Sequence, residues 1–194
     1  MSEPLARIRP YAPGDEDALV RIWNDTLRRD PITPAVFREK ILLDPNFDRA
    51  GALVAEAGGR PAGFCLAIAR KVPLDGAGLQ PERGWITVFF VRPDLQRRGI
   101  GRRLIDAALE YLARRGRREV WVATYVPNCF QPGVDVDAYH AGIRLLERAG
   151  FVPDHYPVGM GRSLLDYEFP AGVAAREAAL AAQGTVVRDF EPRD

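Results

Sequence analysis

The sequence predicts a single α/β domain built on a mixed sheet, and three observations lead there. A chain of 194 residues, 47% of them hydrophobic, is long enough for one domain with a substantial core, since chains of this size bury about 70% of the surface the unfolded chain exposes. Short β-like runs at 52–56 and 62–69, joined by Gly58-Gly59, read as antiparallel strands, because paired glycines supply the positive φ angles of a tight hairpin. Long helical patterns then separate later apolar runs, which requires crossover connections.

Taken in order, residues 6–9 alternate apolar and basic before Pro10, a short strand. From Asp15, the residues Ala18, Leu19, Ile22 and Trp23 recur at helical spacing, giving a helix to about Arg29. Thr33-Pro34 has the form of an N-cap followed by a first-turn proline, with Val36, Phe37, Ile41 and Leu42 as the apolar face of a second short helix. The two hairpin strands follow. Residues 72–84, rich in Gly and Pro, read as an exposed loop, and the near-continuous apolar run 85–91, bounded by Pro93, as a central strand. Ile100, Leu104, Ala108 and Leu112 form one i, i+4 stripe of a long helix, which Gly116 ends as a left-handed cap. Residues 119–126 read as another buried strand stopped by Pro127, and 131–137 as a loop. Asp137 is placed to N-cap a helix whose Ile143, Leu145 and Leu146 face the core and which Gly150 ends. Strands are expected again at 151–158 and 161–169, followed by an Ala-rich helix to Gln183 and a strand-like segment at 185–190. The order β, αα, βββ, α, β, α, ββ makes the sheet mixed, with about seven strands.

Composition excludes several classes. The 27 Lys and Arg balance 26 Asp and Glu, so a whole-chain field drawing the protein to nucleic acid or a membrane is absent and any anion site must be local. The two cysteines, Cys65 and Cys129, form no CxxC pair and lie beside no His ligand set, so neither a disulfide framework nor a metal site is expected. Without an apolar leader or a run of about 20 apolar residues, the expected location is cytoplasmic.

The informative passage runs from Val88 to Gly101, where an apolar strand passes through a short turn into the long helix. Backbone N–H groups of a first helical turn lack intrahelical partners, and the helix dipole adds partial positive charge, so a phosphate is held there if no side chain blocks it. Gly99 and Gly101 keep the approach open. Arg97, Arg98, Arg102 and Arg103 add positive charge where a helix without a ligand prefers acids. The dinucleotide fingerprint fails because Leu104 occupies its third glycine position, and the triphosphate loop GxxxxGK[ST] is absent.

The passage resembles motif A of the GNAT superfamily of N-acetyltransferases, [Q/R]xxGx[G/A], met by Gln96, Gly99 and Gly101. The preceding Val91-Arg92-Pro93, the downstream Leu145-Leu146-Glu147-Arg148-Ala149-Gly150-Phe151 and the opening Ile8-Arg9-Pro10 with Asp15 extend the resemblance over residues 6–169. It implies a mostly antiparallel sheet splayed at the cofactor site, with residues 1–169 as the transferase domain and 170–194 as an extension. It also implies acetyl-CoA as cosubstrate, with no metal. By position, Gln96, Arg97, Arg98, Gly99, Ile100, Gly101 and Arg102 would cradle the pyrophosphate, and Phe89, Phe90 and Val91 would receive the pantetheine and thioester. A backbone N–H of Phe90 or Val91 is then the expected stabiliser of the oxyanion.

The family's usual tyrosine in the "LYEKLGF" ending is Leu146 here, and the usual asparagine at the start of that helix is Tyr139. Tyr139 is therefore a candidate acid, against the alternative that it packs with its hydroxyl in water. Asp135 is a candidate base or amine anchor, against a role as a turn former bonded to its own backbone. His140, His155 and Cys129 are secondary candidates at best. The resulting expectation is acetyl transfer to a primary amine by direct attack in a ternary complex. The alternatives are transfer of another acyl group and a non-catalytic acyl-CoA-binding regulatory module. The acceptor could be a small molecule or a protein amine, with no nucleic-acid or membrane partner. A terminal strand at 185–190 could add to a sheet edge, its own or a partner's, and in the latter case would support a homodimer.

Overall fold

A computed structural model of the chain describes residues 6–73, 76, 78–158, 160–186 and 188. The chain divides into two compact units, Met1–Pro157 and Val158–Asp194. The first contains β1 (Arg7–Pro10), α1 (Glu16–Thr26), α2 (Pro34–Phe37) running into a π-helical turn (Arg38–Leu42), β2 (Ala52–Ala57), β3 (Arg60–Ile68), β4 (Arg83–Val91), α3 (Ile100–Arg114), β5 (Glu119–Val122) and α4 (His140–Arg148). The five strands lie in sequence order, antiparallel from β1 to β4. β5 pairs parallel to β4 after the α3 crossover, so the sheet is mixed and mostly antiparallel, as expected.

Side-chain alternation along the strands builds a core on each face of the sheet. Leu53 and Ala55 of β2 and Cys65 and Ala67 of β3 meet Leu104, Ile105, Ala108 and Leu112 of α3. Their neighbours Ala52, Val54, Phe64, Leu66 and Ile68 face the other way, onto Leu19, Ile22 and Trp23 of α1 and Phe37 and Ile41 behind it. Each large side chain buried here contributes about 1.5–3 kcal/mol, which holds helices on both faces. Gly116 ends α3 at φ +75° and Gly150 follows α4 at φ +92°, the left-handed positions that glycine takes without steric cost.

Three expectations fail, each for a physical reason. The strands expected at 151–158 and 161–169 are absent among the described residues, which leaves five strands rather than about seven. Pro153 and Pro157 remove ladder donors from the first segment. In the second, Leu164 and Leu165 are adjacent rather than alternating, and the chain turns there, with Tyr167 N–H on the Leu164 carbonyl at 3.4 Å. β5 stops at Val122 instead of Val126 because Ala123 takes φ +62° and Tyr125 enters the core on the α1 face, 1% exposed. There its hydroxyl donates to Asp44 Oδ1 at 3.1 Å and accepts from Asn46 Nδ2 at 3.0 Å. Asp137 does not cap α4. Asp135 takes that turn, its Oδ1 accepting from Asp137 N–H and Ala138 N–H at 2.9 Å each.

The second unit contains α5 (Val173–Ala182), which has no buried residue. Of the strand expected at 185–190, Val187, Asp189 and Phe190 lie outside the described residues, and the rest is not in a strand. Among the described residues, no helix is long and apolar enough to cross a membrane.

Candidate active site

β4 and β5 pair only from Arg83 to Ile86 on β4. Ala123 N–H still reaches the Ile86 carbonyl at 3.0 Å, and beyond it β5 has left. Residues 87–91 of β4 therefore keep one open edge. Arg92 N–H donates to the Ala62 carbonyl at 2.8 Å, and the two-residue alternation then turns Phe90 toward β3 and Val91 and Phe89 toward the open edge. Of the two oxyanion candidates, only Val91 thus points its N–H out of the ladder. Its carbonyl, on the same edge, accepts from Gln96 Nε2 at 2.9 Å and from Thr26 Oγ1 at 3.4 Å. Gln96 therefore ties the turn to the end of the strand.

The open edge floors a cleft of about 590 Å³, walled by the start of α3, by α4 and by the loop that precedes α4. Arg97 at φ +61° and Gly99 at φ +84° turn the chain into α3. The first turn of α3 carries no acid and no side-chain cap, and its first closing bond is Arg103 N–H to the Gly99 carbonyl at 3.2 Å. The two motif glycines have different duties. A Cβ on Gly99 would meet nothing within 4 Å, so there the positive φ and the open approach matter; one on Gly101 would lie 2.9 Å from Leu145 Cδ2 of α4.

The predicted cofactor residues separate in the same way. Phe89, Phe90, Val91, Gln96, Arg97, Gly99, Gly101 and Arg102 line the cleft, whereas Arg98 and Ile100 do not. Ile100 is 2% exposed and belongs to the core. Among the described residues, the guanidinium groups of Arg97 and Arg98 make no hydrogen bond or ion pair. Arg102 is shared, donating to Asp106 Oδ1 at 2.7 Å and to the Arg148 carbonyl at 3.1 Å. Arg103 is committed to the Ala6 carbonyl. A cradle with free first-turn amides, no acid, an open glycine and the uncommitted Arg97 guanidinium, with Arg98 next to it in the chain, fits a pyrophosphate.

At the other end, the Tyr139 hydroxyl donates to Asp30 Oδ2 at 2.9 Å and accepts from Arg29 N–H at 3.3 Å. Burial, then the bond to Asp30, pushes the phenol up to about 12, so it is protonated at neutral pH. Asp135 lies outside the cleft lining. Its Oδ2 accepts from Arg29 Nη1 at 2.9 Å while its Oδ1 holds the turn, and the Ala138 and Asp137 amides with Arg29 hold its carboxyl below the usual range. His140 lies outside the lining, and His155 bonds Asp154 at 2.9 Å. The Cys129 thiol, pushed up by burial, donates toward the carbonyls of Ala123 and Gln131. Among the described residues, no group of three or more His, Cys, Asp or Glu is placed to hold a metal.

Sequence reasoning missed Asp30, Arg144 and Arg148, all of which line the cleft. The i, i+4 spacing of the two arginines was a signal that they share a face of α4. Asp30 sits in a loop without a motif, and only the contacts of α1 bring it in.

An α/β sheet splayed over a helix start of this kind defines a known class of fold. The chain belongs to the acetyltransferase (GNAT) family, whose sequence pattern matches residues 17–151. It is 33% identical over 154 residues to the mycothiol acetyltransferase of Acidimicrobium ferrooxidans, covering 77% of this chain and 44% of that protein. It is 34% identical over 126 residues to the mycothiol acetyltransferase of Amycolatopsis mediterranei, covering 61% and 42%. The chain thus spans under half the length of these relatives. The glucosamine N-acetyltransferase region of a fungal multi-domain β-N-acetylglucosaminidase superposes with a TM-score of 0.68 at 22% identity, over 92% of this chain and 21% of that one. At that identity the likeness concerns the fold.

Proposed function

We propose that the protein is an N-acetyltransferase that moves the acetyl group of acetyl-CoA to a primary amine in a ternary complex. The observation that carries this reading is that the open edge of β4 and the acid-free, glycine-opened start of α3 face one cleft. Acetyl-CoA supplies an activated thioester, whose transfer to the amine forms a C–N bond, breaks the C–S bond and releases the free thiol. Every residue lining the cleft falls within the first unit.

The roles of the chain's own groups follow from their contacts. The amides at the start of α3, with Arg97, hold the pyrophosphate while Arg98 adds positive charge from beside the cleft, and the β4 edge at Phe89 to Val91 orients the pantetheine. The Val91 N–H, fixed in direction by the bonds to its own carbonyl, stabilises negative charge on the acetyl oxygen. Tyr139, protonated at neutral pH, holds a proton for the leaving sulfur. With both oxygens engaged, Asp135 positions Arg29 and the turn before α4 rather than moving a proton.

Calorimetric titration of acetyl-CoA into the native protein and into an Arg97→Glu, Arg98→Glu variant tests the reading, with thiol release then measured over an amine panel. These two side chains are chosen because neither packs in the core. Affinity is expected to fall at least about 10-fold in the variant, the loss of charge-assisted contacts to phosphate. Failure of the native protein to bind would remove the cosubstrate, and binding without turnover on any amine would favour a non-catalytic acyl-CoA-binding module.

A further inference from the structure

The acceptor end of the cleft is distinctive in its charge and its surface. Among the described residues lining the cleft, Asp30 is the sole carboxylate, whereas Arg97, Arg102, Arg144 and Arg148 also line it. Asp30 is half-buried, and among the described residues it forms no ion pair. Its neighbour Arg29 is turned instead onto Asp135 at 2.9 Å. Lining the cleft with no cation of the described residues paired to it, the Asp30 carboxylate is placed to receive one from a bound molecule.

That placement is built rather than incidental. The Trp23 indole N–H donates to the Asp30 carbonyl at 2.7 Å. The Asn24 side chain brackets Ile32, accepting from its N–H and donating to its carbonyl, both at 2.9 Å. Tyr139 secures one carboxylate oxygen. Around this single charge the lining is aromatic, with Trp23, Phe89, Phe90 and Phe130 beside Tyr139. Trp23 meets Phe130 and Phe90 edge-on at centroid distances of 4.9 and 5.5 Å.

Resting on the transferase reading for the amine itself, we infer that the acceptor carries a single ammonium group on a flat apolar body, and that Asp30 is the residue that receives the ammonium. One carboxylate neutralises one charge, and a polycation would bring its remaining charges into a cleft lined by four arginines. A polyhydroxylated amino sugar would face aromatic rings where it needs hydrogen-bond partners.

The test titrates 2-phenylethylamine, spermidine and glucosamine separately into the full chain without cofactor, into Asp30→Asn and into Asp30→Glu, with acetyl-CoA affinity and melting temperature measured on the same samples. 2-Phenylethylamine is expected to bind most tightly of the three. Its affinity should fall about 10- to 100-fold in Asp30→Asn, the loss of a hydrogen bond to a charged group, and recover in part in Asp30→Glu. Acetyl-CoA affinity should stay unchanged in both variants. Tighter binding of spermidine or glucosamine, no binding of 2-phenylethylamine, or equal binding to native and Asp30→Asn protein would overturn the inference. Loss of acetyl-CoA binding by the native protein would instead overturn the transferase reading, because the amine titrations do not depend on it.

Discussion

Tyr139, Asp135 and Asp30 are three polar groups around one turn, and hydrogen-bond supply sorts their roles. Asp135 is saturated by two amides and a guanidinium, while Tyr139 keeps its proton and leans on Asp30. If Tyr139 protonates the leaving sulfur, Tyr139→Phe should lower kcat about 100-fold while leaving the acetyl-CoA dissociation constant unchanged, as read by steady-state kinetics beside calorimetry. A second residue-scale feature is Asp15, read in the sequence as the start of α1. Its carboxylate is bridged by both Arg9 terminal nitrogens at 2.7 and 2.8 Å and accepts from Ala12 N–H at 2.8 Å. The Arg9 bond, then the Ala12 amide, lowers its pKa. The stabilisation this pairing provides is therefore complete above the ~3.9 of an unfolded aspartate and is lost as pH falls through the lower folded value. Asp15→Asn should cost about 1–3 kcal/mol at pH 7. In chemical denaturation, the gap between native and variant should close in strongly acidic solution.

At the scale of elements, contact between backbones decides which glycines matter. Gly63 of β3 lies under β4, where a Cβ would stand 2.7 Å from the Phe90 carbonyl oxygen, a backbone atom that cannot swing aside. Gly63→Ala should therefore destabilise the fold by about 1–3 kcal/mol and shift Phe90 and Val91, so the acetyl-CoA dissociation constant should rise along with the loss of stability. At Gly101 the one tight approach is to the end of the Leu145 side chain, with Val91 Cγ2 at an ordinary 3.8 Å. Gly101→Ala should cost less stability than Gly63→Ala, and the loss should largely vanish when Leu145→Ala is added. Paired denaturant titrations would compare the two. The hairpin of β2 and β3 and the long α3 stripe were legible in the sequence, because Gly58-Gly59 marks a tight turn and a period-3.6 pattern reports which helix face is buried. The end of β5 was not legible, since Tyr125 is as good a strand residue as any and leaves the sheet for the Asp44 and Asn46 side chains.

For the whole molecule, both hydrophobic clusters are built from residues 6–151, and α5 in the second unit buries none of its residues. A chain ending at Pro157 should therefore melt cooperatively within about 4 °C of the full chain, a shift that corresponds to roughly 1 kcal/mol or less. A larger loss by calorimetry would mean that residues 158–194 contribute to the stability of the first unit.

The sequence by itself determined the class of fold, the long α3 helix and the place of the cofactor motif. Each depends on information local to a few turns: apolar periodicity, glycine where φ is positive, and an excess of arginine over acid at one helix start. Tertiary structure alone decided which carboxylate enters the cleft. Asp30 and Asp135 have the same chemistry and both lie in loops. Only the contact of the loop after α1 with the turn before α4, with Arg29 drawn to one of them and Tyr139 to the other, leaves Asp30 lining the cleft without an ion pair among the described residues. That choice rests on contacts across more than a hundred residues of chain, a separation at which sequence spacing carries no signal.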